Sequence, residues 1–80
     1  MSYYKLDING NIDLSDYSNI NDYMDVVSEE DSLLINLIDD NKENFDIICS
    51  MLIDKGFNII DREQQMYKYK ILANKKPKDF

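Results

Sequence analysis

The fold of this chain is decided by residues 32–60, SLLINLIDDNKENFDIICSMLIDKGFNII. The middle of this stretch predicts a helix over residues 41–55, whose apolar positions recur at the three- and four-residue spacing of one helical face. These positions are Phe45, Ile48, Cys49 and Leu52. We expect the single cysteine, Cys49, to be a small core residue, because it lies within this apolar face.

The sequence carries recognisable capping signals at both ends of this helix. Asp40 and Glu43 have the spacing of a capping box, in which two side chains satisfy the first backbone N–H groups. Gly56 follows the helix, where glycine adopts the left-handed backbone that ends many helices. Phe57 comes next and is placed to contact Leu52 in that closure.

The segment before the helix, residues 32–38, is apolar on both faces and has two interpretations. As a helix it would begin at a Ser28 cap with the acidic first turn 29–31, and leucine favours this state. Its short length and the abrupt stop at Asp39 and Asp40 favour a strand. We expect a central strand.

The segments after the helix predict two more strands. Residues 57–60 form the first, residues 61–65 a polar turn, and residues 66–73 the second. One face of the second strand carries Tyr67, Tyr69 and Ile71. A strand–helix–strand unit crosses right-handed, so the strands before and after the helix should run parallel.

A hairpin is predicted at the N-terminus, where apolar residues alternate with polar ones on both sides of Asn9 to Asn11. A three-residue loop here pairs Ile8 with Ile12 and keeps the apolar side chains on one face. A two-residue turn at Asn9 and Gly10 would mix apolar and polar side chains on each face.

A short helix is predicted over residues 19–28, because four apolar residues there share one face: Ile20, Tyr23, Met24 and Val27. The element order is then β-β-α-β-α-β-β. We expect an α+β fold with a small mixed or antiparallel sheet of about five strands packed against two helices. Residues 1–73 should form a single domain, and residues 74–80 a basic flexible tail.

Composition limits the functions of the 80-residue chain. It has no histidine, which excludes Ser-His-Asp and Cys-His catalysis, and its single cysteine excludes an internal disulfide. We expect neither an enzyme nor a cofactor or metal site. No signal peptide and no apolar stretch of membrane-spanning length occurs, so we expect a cytoplasmic protein.

Charge is segregated along the sequence. Through Asp61 the net charge is −11, and from Arg62 onward it is +4, in a chain of net charge −7. No basic residue occurs from Asp7 to Asp40, a segment with ten carboxylates. One interpretation is a solvated face that keeps a small protein soluble. The other is an acidic docking surface for a larger protein with a basic surface.

We expect the docking function, and we expect no direct nucleic-acid binding in a chain this acidic and no membrane binding. Asp22, Asp25 and Glu29 would form a stripe of carboxylates on the short helix, resembling the spacing of nucleic-acid phosphates. The composition, rich in Asn, Ile, Asp and Lys, is typical of AT-rich genomes and suggests a phage- or mobile-element-encoded inhibitor. The predicted partner-binding residues are Asp13, Asp16, Tyr17, Asp22, Tyr23, Asp25, Glu29, Glu30 and Asp31.

A second motif lies near the N-terminus, where oxygen-bearing side chains alternate at Asp7, Asn9, Asn11 and Asp13. This spacing resembles the calcium loops of EF-hands and dockerins, which would imply a Ca²⁺ site. The sequence departs from that pattern at Ile12, where the loop has glycine, and at Ser18, where it has a bidentate glutamate. The predicted hairpin explains the same residues better.

Two further classes of function stay open. Homo-oligomerisation could use an edge strand carrying Tyr67, Tyr69 and Ile71. A winged-helix-like nucleic-acid module could use the basic C-terminal third, which includes Arg62 and Lys68.

Overall fold

The computed structural model describes residues 2–10, 12–39 and 42–75. These residues form an α+β fold with two helices and a four-stranded mixed sheet, in the strand order β1-β2-β4-β3. The expected class is confirmed, with one strand fewer than expected. The elements are β1 (Tyr3–Asn9), α1 (Leu14–Val26), β2 (Ser32–Ile38), α2 (Lys42–Asp54), β3 (Phe57–Gln65) and β4 (Lys68–Lys75).

Two strand–helix–strand crossovers determine the topology. Helix α1 connects β1 to its parallel neighbour β2, and α2 connects β2 to β3. Strand β4 lies between β2 and β3 and is antiparallel to both, so β2 and β3 run in the same direction, as expected, without being neighbours. Right-handed crossovers that step the same way across a sheet place both helices on the same face.

The predicted N-terminal hairpin is wrong. Strand β1 pairs with β2, where Leu6 lies opposite Ile35, and the chain from Ile12 onward does not return as a strand. Leu14 instead begins helix α1, in which it is largely exposed. The alternation of apolar residues in β1 correctly identified its core face, but alternation does not identify the partner strand.

Helix α1 begins five residues before the predicted start and ends two residues before the predicted end. Asp13 is its N-cap, and Val27 at its C-cap has extended backbone. Of the predicted apolar face, Ile20 and Met24 are buried within the helix and Val27 is buried just beyond it. Tyr23 is half-buried.

Helix α2 lies close to its predicted bounds, and its four predicted apolar positions are buried, Cys49 among them. Gly56 follows with a φ of 86°, the left-handed backbone expected after the helix. Phe57 begins β3 and joins Leu52 in the core. Asp40, which was predicted to form a capping box with Glu43, lies outside the described residues.

The polar segment 61–65 is a continuation of β3 and not a turn, which corrects the prediction. Its residues pair with β4 as far as Gln65 opposite Lys68, after a bulge at Ile60. The chain turns at Met66, whose φ is 53°. Polar side chains fit here because β3 is at the edge of the sheet, where one side of the strand faces water.

Strand β4 differs from its prediction in position and length. It is an interior strand, so the predicted edge strand for oligomerisation does not exist at this position, and Tyr67 lies exposed in the turn. The strand extends through Lys75, past the predicted start of the tail at residue 74. Residues 76–80 lie outside the described part of the chain.

The core lies between the helices and one face of the sheet. Its centre is the alternate residues of β2, Leu33, Ile35 and Leu37, which are at most 1% exposed. The ring of Phe45 on α2 stacks on Tyr69 of β4 with a centroid distance of 4.8 Å. None of the described helices is long and apolar enough to cross a membrane.

Candidate acidic interaction surface

The first two predicted partner-binding residues form the start of helix α1. Asp13 accepts a hydrogen bond from the backbone N–H of Asp16, and Asp16 accepts one from the backbone N–H of Asp13, each at 3.0 Å. This reciprocal pair is a capping box. It occupies the positive end of the helix dipole with the chain's own carboxylates, so this helix start is not available to an external anion.

Tyr17 is half-buried and packs against the core. Its hydroxyl donates to Oδ1 of Asn44 at 2.6 Å, and the Asn44 amide donates to the buried carboxylate of Asp39. Burial raises the pKa of Tyr17, and the negative charges of Asp39 and Glu43 add to that effect. Tyr17 therefore connects α1 to α2 and is not placed as a docking anchor.

Tyr23 supports the outer strand of the sheet. Its hydroxyl donates to the backbone carbonyl of Lys5 in β1 at 3.1 Å. Its ring meets Tyr4 edge to face, with a centroid distance of 6.0 Å and an interplanar angle of 86°. Tyr23 therefore packs against β1 through its ring and its hydroxyl, and its ring contacts Tyr4.

Asp31 is 6% exposed and holds two segments together. It accepts hydrogen bonds from the backbone N–H of Ser28 at 3.0 Å and of Ser2 at 2.7 Å. The bond from Ser28 and then the bond from Ser2 lower the pKa of Asp31 below its ordinary value. This carboxylate joins the loop after α1 to the start of β1.

The predicted stripe on α1 is shorter than expected. Asp22 and Asp25 lie on successive turns of the helix, whereas Glu29 lies beyond its end, in the turn before β2. Asp25 also forms an ion pair with Lys55, whose Nζ lies 2.7 Å from its Oδ1. A regular repeat of three carboxylates along one helix is therefore not present.

Four exposed carboxylates lie near one edge of the molecule. We call Asp22, Asp25, Glu29 and Glu30 the acidic edge; all four are exposed. The topology brings the C-terminal ends of both helices to this edge, where β2 begins. Helix C-termini carry partial negative charge, so backbone and side chains contribute potential of the same sign.

Two lysines from distant parts of the chain compensate the acidic edge in part. Lys55, just after α2, bonds to Asp25. Lys75, at the end of β4, donates to the backbone carbonyl of Val27 at 3.2 Å and lies over the ring of Phe57. These lysines could not be recognised from the sequence, because each contacts residues far away in the chain.

A shallow depression of about 470 Å³ lies beside the acidic edge. Its lining is Ser2, Tyr4, Ser28, Glu29, Glu30 and Asp31. Tyr4 is half-buried and contributes to this lining. The depression combines two exposed carboxylates with an aromatic side chain, which are the groups that bind cationic side chains.

Other candidate chemistry is not assembled in the described residues. Asp7 and Asn9 of the calcium-like pattern lie in β1, Asp13 caps α1, and Asn11 lies outside the described part. Among the residues that the structure describes, no group of three acidic, cysteine or histidine side chains is arranged to hold a metal ion. Burial raises the pKa of the Cys49 thiol, although the nearby Arg62 opposes this shift.

The basic C-terminal third does not form a separate wing. The hairpin of β3 and β4 is built into the sheet, with β4 between two other strands.

No protein-family model matches this sequence, and no curated protein is significantly similar to it.

Proposed function

We propose that this protein is a small binding module whose acidic edge docks on a basic surface of a larger protein. The observation that carries this proposal is the collection of Asp22, Glu29 and Glu30 with the C-terminal ends of both helices at one edge. All three side chains are exposed, whereas Asp13 and Asp16 cap helix α1 and the buried Asp31 joins two segments of the fold.

The depression beside the acidic edge would take a lysine or arginine side chain of the partner. Glu29 and Glu30 supply the carboxylates, and the Tyr4 ring supplies a surface for the cation. Arginine suits this site better, because its planar guanidinium stacks on aromatic rings and bonds to two carboxylate oxygens at once. Exposed charges at such an edge contribute mainly to orientation and association rate.

Inhibition of a nucleic-acid-binding protein stays a prediction of the sequence. Its regular carboxylate stripe is reduced to Asp22 and Asp25, of which Asp25 is already paired with Lys55. The docking proposal depends on the acidic edge as a whole and does not require mimicry of phosphate spacing. Phage origin is likewise an expectation from composition alone.

A labelled arginine-rich peptide and its glutamine-substituted counterpart test the proposal by fluorescence anisotropy. We expect the arginine peptide alone to bind, with an affinity that falls as salt rises. The double variant Glu29→Gln and Glu30→Gln should weaken binding by roughly 2- to 30-fold, as the loss of two exposed ion pairs implies.

The matched control is Asp7→Asn with Glu63→Gln, which removes the same charge from the face of the sheet away from the helices. We expect it to change the affinity by less than about twofold. Equal weakening by both double variants would show a response to net charge alone and would contradict a localised site. In nuclear magnetic resonance spectra, the chemical-shift changes caused by the peptide should be largest at Tyr4 and residues 28–31.

An affinity pull-down from a lysate of the source cells, eluted with stepped salt, extends the test to natural partners. We expect a protein that the wild-type chain retains until high salt and that the variant Glu29→Lys with Glu30→Lys does not retain. Asp7→Lys with Glu63→Lys is the control for net charge. Retention by both variants would contradict docking through the acidic edge.

A further inference from the structure

The second face of the sheet is not covered by either helix, and we call it the open face. The strand registers place its residues in four rows, each with one residue from every strand in the order β1, β2, β4, β3. The rows are Tyr3-Ser32-Asn74-Asn58, Lys5-Leu34-Leu72-Asp61, Asp7-Asn36-Lys70-Glu63 and Asn9-Ile38-Lys68-Gln65.

The second row has an apolar centre and opposite charges at its ends. Leu34 and Leu72 lie directly opposite each other in the ladder and are half-buried. Lys5 lies at the β1 end of the row and Asp61 at the β3 end. Such a row is complementary to a copy of itself turned end for end.

The open face as a whole is electrically neutral, although the chain carries −7. It holds three lysines and three carboxylates: Lys5, Asp7, Asp61, Glu63, Lys68 and Lys70. The acidic edge belongs to the helix side of the molecule. Two copies can therefore approach through their open faces with less repulsion than through their helix sides.

We propose that the open face packs against the open face of a second copy of this chain. A two-fold axis parallel to the strands places Lys5 opposite the partner's Asp61 and Leu34 opposite the partner's Leu72. The symmetry repeats both contacts on the other side of the axis. Stacked sheets lie about 10 Å apart with nearly aligned strands, a distance that lysine and leucine side chains from both copies fill.

The next row is compatible with this arrangement. Asp7 would lie opposite the partner's Glu63, and each of these carboxylates has a lysine of its own chain nearby. The Nζ of Lys5 is 3.9 Å from Asp7, and the Nζ of Lys70 is 3.9 Å from Glu63. These lysines offset the like charges across the interface.

Association through the β3 edge of the sheet is less favourable than association through the open face. Two β3 strands paired about a two-fold axis perpendicular to the sheet place each central residue near its own copy. The middle of β3 is Asp61, Arg62 and Glu63, so like charges would meet. The bulge at Ile60 also interrupts the edge, a common device against edge pairing.

The open face is small, so the dimer should be weak. Four strands about 4.8 Å apart and four rows about 6.8 Å apart cover roughly 500 Å² on each copy, which is below the size of a standard interface. The helices of both copies face outward, and both acidic edges stay accessible. The inference therefore does not depend on the proposed function.

Sedimentation equilibrium of the full chain from roughly micromolar to millimolar concentration tests the inference. We expect the mean mass to rise with concentration towards that of two chains. Lys5→Asp and Asp61→Lys should each weaken dimerisation at least about tenfold, because each places like charges opposite one another. The double variant restores opposite charges and should return to within about threefold of the wild type.

Lys42→Asp and Asp22→Lys are the matched controls, because they make the same charge changes on the helix side. We expect them to change dimerisation by less than about threefold. Circular dichroism confirms that each variant is folded. A mass of one chain at every concentration would overturn the inference and leave the open face to another partner. A dimer that single reversals do not weaken, or that the double variant does not restore, would also overturn it.

Discussion

The two ends of helix α1 carry the same acidic chemistry and use it differently. At the N-terminal end, Asp13 and Asp16 cap the helix, and the nearby Asp39 accepts the amide of Asn44. At the C-terminal end, Asp25 is paired with a lysine, and Glu29 and Glu30 are exposed in the turn that follows. The carboxylates at the start of α1 and those at its end differ in their position relative to the helix dipole.

Carboxylates at a helix start are stabilising, because they face unsatisfied N–H groups. Carboxylates at a helix end face carbonyl oxygens and are unfavourable unless a cation is present. An acidic helix end is thus a better candidate for a function than an acidic helix start. Asp31 is the exception at the acidic end, since it bonds to two backbone N–H groups.

Asp31→Asn should have the largest effect on stability, because it removes the charge that holds both Ser2 and Ser28. The pKa of Asp31 is lower in the folded chain, so its contribution is complete above the ordinary value of 3.8. It is lost as pH falls through the lowered pKa of the folded state. Thermal unfolding followed between neutral and acidic pH should show a smaller acid-induced loss for this variant. An acid profile equal to that of the wild type would contradict the assigned role.

Asn44→Ala should destabilise the chain by about 1–3 kcal/mol, because Tyr17 and Asp39 both lose a hydrogen-bond partner at a partly buried site. Urea unfolding followed by circular dichroism measures this change. Asn58→Ala, at an exposed position of β3, is the control and should change stability by less than about 0.5 kcal/mol. Equal effects of the two variants would refute the network between the helices.

Asp13→Ala should cost about 1 kcal/mol, the usual effect of removing an N-cap side chain. The same urea experiment applies, and Ser15→Ala in the first turn is the control for helix propensity. If Asp13→Ala were neutral, the capping box would not contribute to the start of α1.

Lys55→Met should cost roughly 0.2–1 kcal/mol, because the ion pair with Asp25 is only partly shielded from water. High salt should reduce the difference from the wild type. Lys42→Met removes the more exposed pair with Asp46, at 4.0 Å, and should have a smaller effect. A larger effect of Lys42→Met would reverse the proposed ranking of the two pairs.

Glu30→Gln should have the smallest effect on stability, within about 0.5 kcal/mol of the wild type. The same substitution should weaken binding of the arginine-rich peptide. This combination would separate the exposed part of the acidic edge from the carboxylates that hold the fold. A destabilised Glu30→Gln variant would place this residue with the latter.

Much of the secondary structure could be predicted, because local patterns encode it. The apolar stripe of α2, Gly56 after its end and the strand at residues 32–38 were predicted correctly. The hairpin near Asn9 was not, because Asp13 and Asp16 form a capping box that a strand pattern concealed. The three-residue spacing of Asp13 and Asp16 is present in the sequence, and the hairpin prediction did not take it into account.

The candidate site was predicted only in part. The sequence identified the acidic segment, and it named Glu29 and Glu30 together with residues that hold the fold. The bonds that separate these groups are long-range: Ser2 and Asp31 are 29 residues apart, and Lys55 and Asp25 are 30 apart. Periodicity over a few neighbouring residues contains no information about such partners.

By itself, the sequence determined which face of α2 is buried, where that helix ends and how negative the N-terminal half is. These properties depend on spacing and composition, which any short window of sequence contains. Only the tertiary structure decided that β1 pairs with β2, that β4 lies inside the sheet and which carboxylates stay in solvent. Each of these outcomes depends on contacts between distant residues, whose free energies are set by the complete packing of the chain.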